Sequence, residues 1–150
     1  MRMSIILTLC ALLLLGACSR VKVEGPEGFA KQRARGEYRA LSPEGMLFRV
    51  RTVKNYPRKD LIFWKQALRR HLTDEGYHLL DEGEAFSTER HGGILYEWAV
   101  PYAESDYIFL TALVPMGGRI IIVEAAGEHS LYALHRRSMR KSLETISRRF

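Results

Sequence analysis

Tyr107-Ile-Phe-Leu-Thr-Ala-Leu-Val114, Pro115-Met-Gly-Gly118 and Arg119-Ile-Ile-Ile-Val-Glu-Ala-Ala126 follow one another without interruption. The first and third runs are apolar at both alternating positions and rich in β-branched residues, as strands buried on both sides are. The middle run carries proline and a glycine pair, which break regular structure and turn the chain. Two strands joined by so short a connection pair antiparallel. These residues are the centre of a sheet.

Working upstream, Ile94-Leu-Tyr-Glu-Trp-Ala-Val100 places Ile94, Tyr96, Trp98 and Val100 on one face. His91-Gly92-Gly93 reads as a hairpin loop leading into it from a weaker strand over 85–90. Tyr77-His-Leu-Leu80 is short and strand-like, and Asp81-Glu82-Gly83 is a turn. Leu61, Trp64, Leu68, His71 and Leu72 form a helical stripe. Pro57 suits its first position, Asp60 suits its positive end and Gly76 its stop. Met46-Leu-Phe-Arg-Val-Arg-Thr-Val53 alternates, with Arg49 and Arg51 opposite Phe48 and Val50. Tyr38-Arg-Ala-Leu41 precedes it across the turn Ser42-Pro43-Glu44-Gly45. Downstream, Tyr132, His135, Met139, Leu143, Ile146 and Phe150 recur at three- and four-residue steps, which predicts one amphipathic helix from about Glu128 to the end. The expected class is α+β, in the order ββαββββα: one antiparallel sheet of about six strands with two helices.

The N-terminus has a different character. One arginine, an apolar run over 5–15 and the small residues Gly16 and Ala17 have the design of a secretory signal peptide. The run is shorter than the ~20 residues that span a bilayer. Leu15-Gly16-Ala17-Cys18 resembles the bacterial lipobox, the motif cut before its cysteine by lipoprotein signal peptidase. That resemblance implies cleavage between Ala17 and Cys18 and conversion of Cys18 into a lipidated, N-acylated first residue. Ser19, where aspartate would mark retention at the inner membrane, implies the outer membrane, periplasmic side. Residues 1–17 are thus expected to be a removed signal. Residues 18–36, with few large apolar side chains and breakers at Gly25-Pro26 and Gly28, are expected to be a lipidated cysteine and flexible tether. Residues 37–150 are expected to be a single domain.

The 150 residues carry 23 Lys+Arg and 17 Asp+Glu, a formal charge of +6. Its distribution matters more than its size. Residues 41–130 hold 13 acidic and 10 basic side chains. The excess lies in residues 20–40 and in the last twenty. Arg136, Arg137, Arg140, Lys141 and Arg148 fall opposite the apolar stripe of the final helix, so they form a basic face expected to dock on anionic lipid head groups or an acidic envelope protein. A nucleic-acid partner is not expected of an exported chain.

Chemistry-bearing motifs are absent. There is no nucleophile elbow, P-loop or dinucleotide fingerprint, and the two cysteines are assigned to signal and anchor. No catalytic residue, metal site or cofactor is expected, and the chain is read as non-enzymatic. His71 and His135 lie on apolar stripes and read as core histidines bonded to backbone. Glu124 alternates with Ile120 and Ile122 and is expected to point inward, in a structural ion pair with Arg49 or Arg51. Trp64, Tyr96, Trp98, Tyr107 and Phe109 read as core. The alternative is a ligand carrier, with these aromatics lining a cavity between sheet and helix around Trp64 and Trp98.

Ser42-Pro43-Glu44-Gly45 leading into Phe48-Arg49-Val50, Trp64 on the first helix, Gly76-Tyr77 after it, and Ile122-Val123-Glu124-Ala125-Ala126-Gly127 before the last helix together resemble the PsbP-like fold. That fold recurs in small bacterial lipoproteins that look like assembly factors, accessory subunits or envelope proteins. The resemblance carries over no catalytic residue. It implies a membrane-anchored envelope protein acting as an interaction or accessory module.

Overall fold

The computed structural model describes residues 21–102 and 105–148. The expected signal over 1–17, with Ala17 and Cys18 at its expected cleavage point, and Arg149 and Phe150 fall outside them. Among the described residues ten strands and two helices follow in chain order: β1 (Val21–Lys22), β2 (Ala30–Gln32), β3 (Glu37–Leu41), β4 (Leu47–Lys54), α1 (Leu61–Asp74), β5 (His78–Leu79), β6 (Glu84–Ser87), β7 (Gly92–Tyr102), β8 (Ser105–Met116), β9 (Arg119–Glu128), α2 (His129–Glu144) and β10 (Ser147–Arg148). Eight strands make one antiparallel sheet, ordered β2-β3-β4-β9-β8-β7-β5, with β6 pairing beside β5 on β7. The class is the α+β expected, with more strands than the six foreseen.

The added strands are short. β2 is three exposed residues paired to β3, with none of the alternation that marks a half-buried strand. β1 and β10 are two residues each and pair only with one another, Val21 opposite Arg148 and Lys22 opposite Ser147. The expected flexible tether is therefore part of the fold from Val21 onward. Val21, Val23 and Phe29 pack on the core, and the Glu24 amide donates to the Thr145 hydroxyl at 2.9 Å. Three dispersed apolar side chains are enough to dock a segment whose composition is otherwise that of a linker.

The β8–β9 hairpin is the centre, turning at Gly117-Gly118, with Val114 opposite Ile121 and Leu110 opposite Ala125. Both faces of the sheet are covered. On one, α2 lays Tyr132, Met139 and Leu143, followed by Ile146, over Phe48, Val50, Leu95, Leu110 and Val123. On the other, α1 lays Leu61, Trp64, Leu68 and Leu72 over Ile94, Tyr96, Trp98, Leu113 and Ile120.

Local chemistry sets the helix ends. The Asp60 carboxylate accepts from the Phe63 amide at 2.9 Å and is the N-cap of α1, so Pro57 lies outside the helix, not at its first position. At the other end Gly76 has φ +87°, and the amides of Tyr77 and Gly76 donate to the carbonyls of Leu72 and Thr73. That is the double bond pattern of a Schellman cap. α2 stops at Glu144, and Arg148 belongs to β10 rather than to the basic helix face. Gly92 and Gly93, expected in a loop, are the first residues of β7. They pair with Ser87 and Phe86, and the Phe86 ring occupies the space a side chain at Gly93 would need. His71 is exposed on α1 rather than buried.

Candidate functional site

Three constellations of polar and charged groups stand out. The first lies beneath α2. Glu97 sits mid-strand on β7 and is 4% exposed. Tyr132 donates to its Oε1 at 2.6 Å, and Arg136 engages both carboxylate oxygens through Nε and NH2 at 2.7–3.2 Å. Arg140 NH2 lies 3.4 Å from Oε2, and Arg140 NH1 pairs with Glu84 of β6. Burial is the largest single influence on Glu97 and raises its pKa. The bonds from Arg136 and Tyr132, with the charges of Arg140 and Arg136, outweigh it, so the carboxyl stays below its ordinary range. Burial and the bond to Glu97 push the Tyr132 phenol well up. The cluster is an ion-paired and hydrogen-bonded clamp between β7, β6 and α2.

This redraws the basic face. Arg136 and Arg140 are not free solvent cations but partners of Glu97 and Glu84. Arg137 and Lys141 are the exposed pair, with no ion pair among the described residues. With Ala133, Arg136, Arg140 and Glu144 they line a shallow groove of about 450 Å³. Glu97 had no signal of its own in the sequence. It reads as the polar member of an alternating strand, and only the covering by α2 buries it.

The second constellation lies on the opposite sheet face. Arg51 binds Glu124 through Nε and NH2, each at 3.0 Å, and Arg49 approaches Glu124 at 3.6 Å while gripping Glu37 at 2.7 Å. β4–β9 pairing places Arg49 directly opposite Glu124. The expected ion pair forms, with both arginines. It is partly exposed, with the Arg49, Arg51 and Glu124 side chains at 40%, 31% and 23%.

The third is built around Asn55, 4% exposed, just past β4. Its amide nitrogen donates to the Gly117 carbonyl at 3.0 Å and the Lys59 carbonyl at 2.9 Å. Its Oδ1 accepts from the Lys59 amide at 3.0 Å and the Trp64 indole at 2.8 Å. One side chain thus ties the β4–α1 loop to the β8–β9 turn and to α1. The loop it holds presents Tyr56 at 86% exposure, beside Ile62 at 66% and Phe63 at 43%.

The aromatics are spent on packing. Tyr96 and Trp98 are fully buried with ring centroids 5.7 Å apart, and Trp98 donates to Thr111 at 2.9 Å. Trp64 donates to Asn55. These contacts fit the expected core reading of Trp64 and Trp98, whose indoles are bonded to Asn55 and Thr111, rather than the alternative of a lined cavity. His135 is half-buried, but it meets Glu44 at 3.1 Å and the edge of Phe29 rather than a backbone group. Glu89 and His91 line a second groove, of about 530 Å³, with Lys22, Arg90, Gly117, Gly118 and Ser147.

No protein-family profile matches the chain, and no curated protein does. Solved structures share its fold. A solution structure of cyanobacterial PsbP (CyanoP) from Synechocystis sp. PCC 6803 superposes with a TM-score of 0.59 at 10% identity, over 89% of this chain and 95% of that one. LpqN of Mycobacterium tuberculosis, described as involved in cell envelope biogenesis, superposes with a TM-score of 0.65 at 10% identity, over 87% and 83%. A Pseudomonas aeruginosa protein of unknown function gives 0.57 at 9% identity, over 81% and 98%. The fold is PsbP-like. At such identities the likeness is one of architecture, and no residue role passes across it.

Proposed function

We propose that this chain is a lipid-anchored bacterial envelope protein whose PsbP-like domain is a non-enzymatic interaction or accessory module. The observation that carries the reading is Leu15-Gly16-Ala17-Cys18 at the end of an 11-residue apolar run. Small residues fit the peptidase, and the Cys18 thiol is the nucleophile that accepts the diacylglyceryl group. Two or more acyl chains make a durable anchor where one does not. Among the described residues no helix is long and apolar enough to cross a membrane. Ser19 favours the outer membrane, periplasmic side.

The accessory role is supported by how the charged groups are used. Glu97 and Glu124, two carboxylates of the sheet, are each paired with arginines, an arrangement that serves architecture rather than proton transfer. The envelope setting of LpqN, a structural neighbour, is in keeping with this reading.

Cys18→Ala tests the anchor. Once freed of its signal, the variant should leave the membrane fraction, while the parent chain stays in it at high salt. A variant that stays bound after its signal is removed contradicts the reading.

A further inference from the structure

The N-terminal strand and the Asn55-anchored loop lie at the same pole of the molecule. Lys22 of β1 lines one groove with Gly117 and Gly118, and Asn55 bonds the backbone of both glycines. Only three residue steps separate Cys18 from Val21. At 3.3–3.6 Å per extended residue they reach about 10 Å. Resting on the lipid-anchor reading, this means that the domain cannot stand off from the bilayer on a long leash. The pole from which β1 emerges must face the lipid.

That pole carries the surface such a contact needs. Tyr56, Ile62 and Phe63 are among the most exposed large apolar side chains of the described residues. Lys59 lies over the Phe63 ring at 5.5 Å, and Lys54 and Arg58 flank the same loop. Lys22 and Arg90 stand across the Gly117–Gly118 turn, with Asp60 and Glu89 as the nearby acids. Aromatic and aliphatic side chains ringed by lysine and arginine are the composition of an interfacial membrane contact. Asn55 holds the loop in place, so the patch is presented ready-made.

We propose that this pole docks on an anionic bilayer, with Tyr56, Ile62 and Phe63 entering the head-group layer and Lys54, Arg58 and Lys59 meeting lipid phosphates. The contact fixes the orientation of the domain and turns the Arg137–Lys141 groove on α2 sideways, toward partners in the membrane plane. This replaces the α2 face as the lipid-facing surface.

The test uses the lipidated protein, extracted from its membranes and reconstituted into vesicles of phosphatidylglycerol and phosphatidylcholine. Once Cys18 is a thioether, an introduced cysteine is the one labelled thiol. A fluorophore at Ile62→Cys should be quenched by head-group-level spin-labelled lipid several-fold more than one at Leu134→Cys, which is equally exposed but lies in the N-terminal half of α2, whereas the chain just past the C-terminal end of α2 borders the Lys22 groove. Tyr56→Cys is the second site should Ile62→Cys fold poorly. Each basic residue near an anionic leaflet strengthens contact about fivefold. Arg58→Glu with Lys59→Glu should therefore abolish the difference between sites while the protein stays anchored. Equal quenching at both sites overturns the docking, as does a difference that ignores the charge reversal. A site at 62 shielded only in native membranes, and not in vesicles, assigns the patch to a protein and also overturns it. A free Cys18 thiol in the membrane-extracted protein is a separate failure: it removes the anchor, and the docking with it.

Discussion

Glu97 and Asn55 show how single side chains hold this fold. Glu97 is buried and ionised, and its stability contribution depends on Tyr132, Arg136 and Arg140 together. Its carboxyl titrates lower folded than unfolded, so the contribution is full above the ordinary carboxylate range and is lost as pH falls through the folded-state value. Glu97→Gln should lower the urea midpoint at pH 7 by about 2 kcal/mol equivalent and flatten the loss of stability on acidification. An unchanged acid limb would mean that the clamp does not titrate. Asn55→Ala strands the Trp64 indole, the Lys59 amide and carbonyl and the Gly117 carbonyl, at a cost of about 2–3 kcal/mol by denaturant unfolding. Neither residue announced itself in the sequence. An Asn after a strand reads as a turn former, and a Glu in an alternating strand reads as solvent-facing. Burial by a distant element decides both. Glu124 was legible because its neighbours Ile120 and Ile122 fixed its face and Arg49 and Arg51 alternate in step with it.

At the scale of elements, what the chain displayed was periodicity. The β8–β9 hairpin, β4, the stripe of α1 and the stripe of α2 all follow from apolar spacing that burial then uses. Three things did not follow. β1, β2 and β10 are too short to show a period, and their pairing is set by Val21, Val23 and Phe29 docking on the core. The end of α2 is hidden because Ile146 continues the helical spacing while the chain has already turned. The Gly92-Gly93 pair is in a strand because Phe86 lies across it. Gly93→Ala would place a Cβ 2.8 Å from the Leu113 carbonyl and against the Phe86 ring. It should destabilise by about 1–3 kcal/mol through loss of the β6–β7 pairing, seen as early amide exchange over Glu84–Ser87. Asp60→Ala removes the α1 cap and should cost about 1 kcal/mol of global stability, read from thermal unfolding.

At the scale of the whole molecule, the sheet is a plate between two helices, with β1 and the apolar, basic loop at one pole. The class and the helix pair were readable from the sequence, and so was the PsbP-like resemblance. The polarity was not, because it needs β1 to be placed beside the Gly117–Gly118 turn. On the proposed lipid anchor, that placement shortens the expected tether from eighteen residues to a few and constrains the orientation of the domain. Everything at this scale depends on the chemistry of one residue. The most direct measurement is the mass of the N-terminal peptide of the protein isolated from its own membranes. The account predicts a chain that begins at Cys18, with a diacylglyceryl thioether on its sulfur. A mature N-terminus elsewhere, or Cys18 with a free thiol, would contradict it.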